Sequence, residues 1–79
     1  MKLPVALLGA TGPVGQKVIT MLENHPLFTL AEVAASEGRL GKRYGDIVAW
    51  KNEMPLPARV AAMEMRSQLE VQSRLVISA

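Results

Sequence analysis

The apolar residues of this chain fall in blocks of different period, and each change of period predicts a new element. Leu3 to Leu8 is a short, nearly continuous apolar run, the pattern of a strand buried on both faces. Pro4 places the strand's start at or just after that residue, because proline has no N–H to give a ladder. Glycines then stand at Gly9, Gly12 and Gly15. From Pro13 to Glu23 the spacing becomes helical. Val14, Val18, Ile19, Met21 and Leu22 make one apolar stripe predicted to be buried, and Gln16, Lys17, Thr20 and Glu23 make the polar face. Pro13 suits the first helical position, where a missing N–H costs nothing. Asn24-His25-Pro26 stops the helix, since the residue before a proline avoids the α region.

Phe28 to Ala35 reads as a second strand with loose alternation. Ser36 to Gly45 holds three glycines and reads as a loop, and Asp46 to Trp50 as a short strand or turn. Lys51 to Pro57 holds two prolines and reads as irregular. Val60 to Met65 fits either a helix or a strand, with strand preferred, one half-buried face carrying Met63 and Met65. Leu75 to Ala79 reads as a further buried strand, reached through the polar segment Ser67 to Arg74. Strand, glycine turn, helix, strand is a βαβ unit with parallel strands and a right-handed crossover. The predicted fold class is therefore α/β: a partial Rossmann-like dinucleotide-binding fold with a mostly parallel sheet.

Composition bounds this picture. A chain of 79 residues makes one small domain. Such a domain buries only about 60% of its unfolded surface and usually needs a staple. There is no cysteine, and one histidine, His25, does not make a zinc site. Support then has to come from a partner or from a longer chain. Hydrophobic residues at 49% against 20% charged are globular, and a net charge of +2 is too mild to point to nucleic acid. No run approaches the roughly 18 apolar residues of a membrane span. Gly9 and Gly12 interrupt the N-terminal apolar run, which argues against a signal peptide and leaves the cytoplasm as the expected location.

The chemistry sits in the glycine turn. Gly9 takes the tight turn at the strand's end, Gly12 lets a pyrophosphate approach the backbone, and Gly15 lets the helix pack on the strand. The helix N-terminus points its unpaired N–H groups and positive dipole end at the anion, and Thr11 adds a hydroxyl. The spacing is Gly-x-x-Gly-x-x-Gly, and its place between strand and helix is what promotes it. A glycine-rich turn that binds nothing stays open as the alternative. At the end of the second strand, a dinucleotide fold places the adenosine ribose. Ser36 can donate to a 2′-phosphate, Arg39 can pair with it, and Lys42 and Arg43 add positive field. Glu37 is the contrary signal, favouring a free ribose; three cations against one carboxylate favour NADP. His25 matches a turn position, and the scattered acids include no pair suited to acid–base catalysis.

Several strings resemble the aspartate-semialdehyde dehydrogenase family, in its archaeal and fungal-type branch. They are Leu8-Gly9-Ala10-Thr11-Gly12-Pro13-Val14-Gly15-Gln16, Asn24-His25-Pro26, Ala34-Ala35-Ser36-Glu37, Gly41-Lys42-Arg43-Tyr44, Trp50 and Ser78-Ala79. Acyl-CoA reductases such as malonyl-CoA reductase are nearly as similar. Departures are Gly38 before Arg39, which displaces an arginine by one position, and Arg74 before the last strand. The resemblance implies NADPH-dependent reduction of aspartyl phosphate to aspartate semialdehyde, which feeds lysine, methionine and threonine synthesis in a homo-oligomeric enzyme. It implies that Thr11, Gly12, Pro13 and Val14 form the pyrophosphate loop, that Ser36 contacts the 2′-phosphate, and that Ser78 lies beside the cofactor. It also implies that residues 1–79 are the N-terminal part of the NADP-binding domain. The catalytic cysteine and histidine, and the catalytic and dimerisation domain, then lie beyond Ala79. A non-catalytic nucleotide-binding module and a truncated chain without function are the rival readings.

Overall fold

The computed structural model describes residues 2–35 and 40–79. Its first strand, β1, is Leu3–Leu8, and the helix α1 is Pro13–Leu22. Pro13 stands in the first turn of α1, and Gly12 is the N-cap with φ −78° and ψ 173°. The helix ends where the Glu23 N–H bonds to the Ile19 carbonyl at 3.2 Å and Asn24 turns left-handed at φ 62°. Asparagine tolerates that region because its short amide bonds locally. The second strand, β2, is Phe28–Ala35. His25 shapes the entry to it: its Nδ1 accepts the Leu27 and Phe28 N–H groups at 3.0 and 3.2 Å, which is a turn role.

Beyond β2 come two four-residue helices, α2 (Tyr44–Ile47) and α3 (Ala58–Ala61), then β3 (Arg66–Ser67) and β4 (Leu75–Ser78). The four strands are all parallel, in the order β3-β2-β1-β4. That order starts at β1, steps outward to β2 and β3, and then returns to the other side of β1. The sheet therefore has a switch point between β1 and β4, and in open α/β sheets ligands bind at the carboxyl ends of the strands at such a point.

Val5, Leu7, Ile19, Leu30, Val33, Val60 and Met65 are fully buried in one core between the sheet and its covering elements. Each contributes about 1.5–3 kcal/mol by leaving water. The β1–β2 register jumps between Val5 and Ala6, whose partners are Leu30 and Glu32.

Four expectations are corrected. In α1 the buried face is Gly15, Gln16, Ile19 and Leu22, whereas Val14 and Met21 are exposed. The close approach of Gly15 to the end of β1 rotates the helix by one position, so Gln16 goes in and Val14 goes out. The segment 60–65 is the end of α3 followed by extended chain. The Pro57 carbonyl accepts the Val60 and Ala61 N–H groups, and an alanine-rich sequence after a proline favours a helical turn. Met65 is buried and Glu64 exposed on that extended chain, as alternation requires. Tyr44 to Ile47 is helical, so neither a loop through Gly45 nor a strand from Asp46 describes it. Finally, β4 is an edge strand, and its Leu75 and Val76 are exposed.

Candidate functional site

The carboxyl end of β1 and the start of α1 enclose the glycine turn, and its three glycines have three different reasons to be glycine. Gly9 has φ +72°, and a Cβ there would lie 2.8 Å from the Ala79 carbonyl oxygen. Gly15 has no room at all: a Cβ would lie 2.3 Å from the Gly9 carbonyl oxygen and 2.8 Å from the Ala10 Cα. Both are demanded by the fold. Gly12 is not, because its φ is ordinary and the nearest atom to a Cβ would be the Gly9 oxygen at 3.9 Å. Nothing among the described residues requires glycine there.

The helix N-terminus is open to an anion. The N-cap Gly12 supplies no side-chain cap, and the first turn has no acidic residue. In any α-helix the first N–H groups lack intrahelical partners and carry positive partial charge. Pro13 and Val14 are exposed at this end, and Thr11 is half-buried. The adjacent β4 brings the chain's other end to the same place. Ser78 pairs with Leu8 in the sheet register, and the Ala79 N–H donates to the Leu8 carbonyl at 3.0 Å. Leu8 and Ser78, 70 positions apart in sequence, thus meet at the switch point.

The turn is held from behind by two side chains to which the sequence assigned no such role. The Tyr44 hydroxyl donates to the Ala10 carbonyl at 2.6 Å, and Tyr44 is fully buried. Burial pushes its phenol up to about 12 from 10.0, so it remains a donor at neutral pH. The Gln16 amide donates to the Thr11 carbonyl at 2.9 Å and to the Ala49 carbonyl at 3.1 Å. Its oxygen accepts the Lys51 N–H at 2.9 Å and the Asn52 amide at 3.2 Å. A cleft of about 280 Å³ lies between the turn and this segment, lined by Thr11, Pro13, Gln16, Ala49, Lys51 and Asn52.

A third buried polar group, Glu32, lies on β2. Its carboxylate accepts the Gln72 N–H at 2.9 Å, the Ser73 N–H at 2.7 Å and the Ser73 hydroxyl at 2.6 Å, with the Arg66 guanidinium 3.7 Å away. Burial raises its pKa, and the hydrogen bonds with the Arg66 charge more than reverse that, holding it below the usual carboxylate range. It fixes the segment leading into β4, and so the place of Ser78.

Of the residues expected at the cofactor, Gly9, Thr11, Gly12, Pro13, Val14, Gly15 and Ser78 come together at one end of the sheet. Ser36 and Arg39 lie outside the described residues. Lys42 and Arg43 are exposed on a short segment whose backbone pairs antiparallel with Glu64 through an isolated β-bridge at Arg43. No helix among the described residues is long and apolar enough to cross a membrane.

With this geometry in hand, residues 4–77 match the family model described as semialdehyde dehydrogenase, NAD binding domain. The chain belongs to that family. It is 46% identical to the aspartate-semialdehyde dehydrogenase of Archaeoglobus fulgidus over an alignment covering 100% of this chain and 24% of that enzyme. It is 48% identical to the Trichophyton rubrum enzyme of the same name, over 76% of this chain and 17% of the relative. Its fold superposes on the crystal structure of aspartate-semialdehyde dehydrogenase with NADP from Candida albicans with a TM-score of 0.90 at 31% identity, covering 100% of this chain and 23% of that one. The chain spans about a quarter of the length of the Archaeoglobus fulgidus and Candida albicans relatives.

Proposed function

We propose that the chain is the NADP-binding segment of an aspartate-semialdehyde dehydrogenase, acting within a longer cytoplasmic enzyme that interconverts aspartyl phosphate and aspartate semialdehyde. Gly12 carries the reading. It caps a helix, has an ordinary φ, and among the described residues a Cβ there would meet only the Gly9 oxygen, at an ordinary 3.9 Å, so the room it leaves is room for a ligand. The helix dipole and uncapped N–H groups favour an anion in that room. In this reading the backbone from Thr11 to Val14 lines the pyrophosphate, Gly9 and Gly15 set the turn's shape, and Ser78 borders the nicotinamide side. Ser36 and Arg39 take the 2′-phosphate. When bound, the cofactor supplies hydride transfer, and the segment binds and orients it. The acyl chemistry belongs to groups outside residues 1–79, which contain no cysteine.

The relatives' names and the NADP in the Candida albicans structure support the choice of substrate class and cofactor. The test is a titration of the ¹⁵N-labelled chain with NADPH and with NADH. Shifts at the Thr11, Gly12 and Gly15 amides that saturate with NADPH, and only at higher concentration with NADH, are expected. An unchanged spectrum at millimolar NADPH would sink the reading.

A further inference from the structure

Gln16 is the most completely partnered buried side chain at the site. It is 4% exposed and uses two donors and two acceptor positions of its carboxamide at once. The orientation of the amide is forced, because two carbonyl oxygens lie on one side and two N–H donors on the other. These bonds tie together two parts of the chain that no strand pairing joins: the glycine turn at Thr11 and the segment 49–52, more than 30 residues away. With Tyr44 holding the Ala10 carbonyl, two consecutive carbonyls of the turn are pinned from the protein side.

A trans peptide directs its N–H opposite to its carbonyl. Pinning the carbonyls of Ala10 and Thr11 therefore sets the direction of the Thr11 and Gly12 N–H groups. The Gly12 N–H reaches only a long 3.4 Å bond to the Gly9 carbonyl, so its direction depends on the pinned plane more than on that bond. The same carboxamide fixes Lys51 and Asn52 as the far wall of the cleft beside the turn.

We propose that Gln16 is a positioning residue for the dinucleotide pyrophosphate, presetting the Thr11–Gly12 backbone and locking segment 49–52 as the second wall of the phosphate cleft. This rests on the dinucleotide reading above. Preorganised groups bind more tightly because ordering them costs nothing at the moment of binding.

The experiment compares two ligands on the 79-residue chain by amide shift titration. NADPH carries the pyrophosphate; adenosine 2′-monophosphate does not. For Gln16→Met, NADPH should bind about ten- to a hundredfold more weakly, the range for a lost set of buried hydrogen bonds, while adenosine 2′-monophosphate changes less than about twofold. Asn52→Ala removes only the longest of the four bonds from a half-buried side chain, and should show the same selectivity at smaller size with its fold intact. If both ligands weaken together, in step with the fall in melting temperature, Gln16 is only a structural residue and the proposal is overturned. If neither ligand changes in either variant, it is equally overturned. If the unsubstituted chain binds adenosine 2′-monophosphate but not NADPH, the dinucleotide reading itself fails, which is a different result from the other two.

Discussion

Residues 3–35 and residues 40–74 hold their shapes by different means. The first region is periodic: two long strands pair in parallel, a ten-residue helix covers them, and most of its bonds run backbone to backbone. The second has two helices of four residues each and one two-residue strand. Elements so short do not stand alone, because helix nucleation is unfavourable and isolated strand pairs are marginal. The second region is held by burying Tyr44, Val60 and Met65 in the common core, by the short β2–β3 pairing, and by a set of polar links to the first. Gln16 holds 49–52, Glu32 holds 72–73, Tyr44 reaches back to Ala10, and the Arg59 guanidinium donates to the Leu30 carbonyl at 2.7 Å. The difference predicts that damage to the first region is global, while damage to a link loosens the second region alone.

The largest effect should follow from Gly15→Ala. The added methyl would sit 2.3 Å from the Gly9 carbonyl oxygen, which is backbone and cannot swing aside. Either α1 leaves the sheet or the glycine turn opens, at a cost of about 3 kcal/mol or more. Thermal unfolding by circular dichroism should show loss of the cooperative transition across the whole chain. A melting temperature within a degree of the original would mean that the helix does not pack here.

Glu32→Gln should cost less and act on one region. A carboxamide of the same size places a donor against N–H groups, and losing charge-assisted bonds costs about 1.5–3 kcal/mol. Arg66 adds little, since half of its side chain is in solvent. The pH dependence has a definite sign. The folded pKa of Glu32 lies below its ordinary 4.5, so its stabilisation is present above pH 4.5 and is lost as pH falls through the lower folded value. Hydrogen exchange at the Gln72 and Ser73 amides should rise in the variant, with β1 and α1 protected as before. Denaturant melts should show the variant less sensitive to acid than the original chain; equal sensitivity would remove Glu32 as the link.

Tyr44→Phe keeps the packing and removes one bond, leaving the Ala10 carbonyl short of a partner, for about 1–2 kcal/mol. With its phenol raised from 10.0 to about 12, Tyr44 contributes stability fully below pH 10, and that contribution is lost as pH rises toward 12. The phenylalanine variant should lack this alkaline loss. Absorbance of the tyrosinate at 295 nm, followed against pH, reads the same event directly, and an ordinary titration near pH 10 would contradict the buried hydroxyl.

The same contrast explains what the sequence disclosed. Periodic patterns reported β1, α1 and β2 at nearly their observed bounds, because burial and backbone pairing write themselves into local spacing. The glycine turn was legible for the same reason: Gly9 and Gly15 answer to local geometry. The links were not legible. Gln16 sits on the polar list of a helical wheel until the close approach at Gly15 turns it inward, and its partners lie 33 to 36 positions away. Tyr44 stands in one of the strings that carry the family resemblance, but nothing local to it signals a bond to Ala10, 34 positions away. Segment 60–65 departs from the strand expectation because alanine content and a preceding proline outweigh the short alternation of Met63, Glu64 and Met65. The exposure of β4 was missed because an apolar run tells that a face is suited to burial, without saying what covers it.

Gly12→Ala should have the smallest effect on the fold and the sharpest on the ligand. Its φ of −78° suits alanine, and the new methyl would meet its nearest neighbour at 3.9 Å, an ordinary contact. Two small terms oppose each other in stability. Glycine is preferred to alanine at a helix N-cap. Replacing glycine also restricts the unfolded chain, which favours the variant by about 0.4–1 kcal/mol. The sum should lie within about 0.5 kcal/mol of zero, unlike that for Gly15→Ala three positions along. The methyl projects into space that the described residues leave open beside the turn, so a pyrophosphate there must retreat from the backbone N–H groups. NADPH affinity should fall about ten- to a hundredfold while the melting curve stays in place. If affinity and stability both hold, the space at Gly12 is unused. If stability falls as far as it does for Gly15→Ala, all three glycines are structural, and the open helix N-terminus is a feature of folding alone.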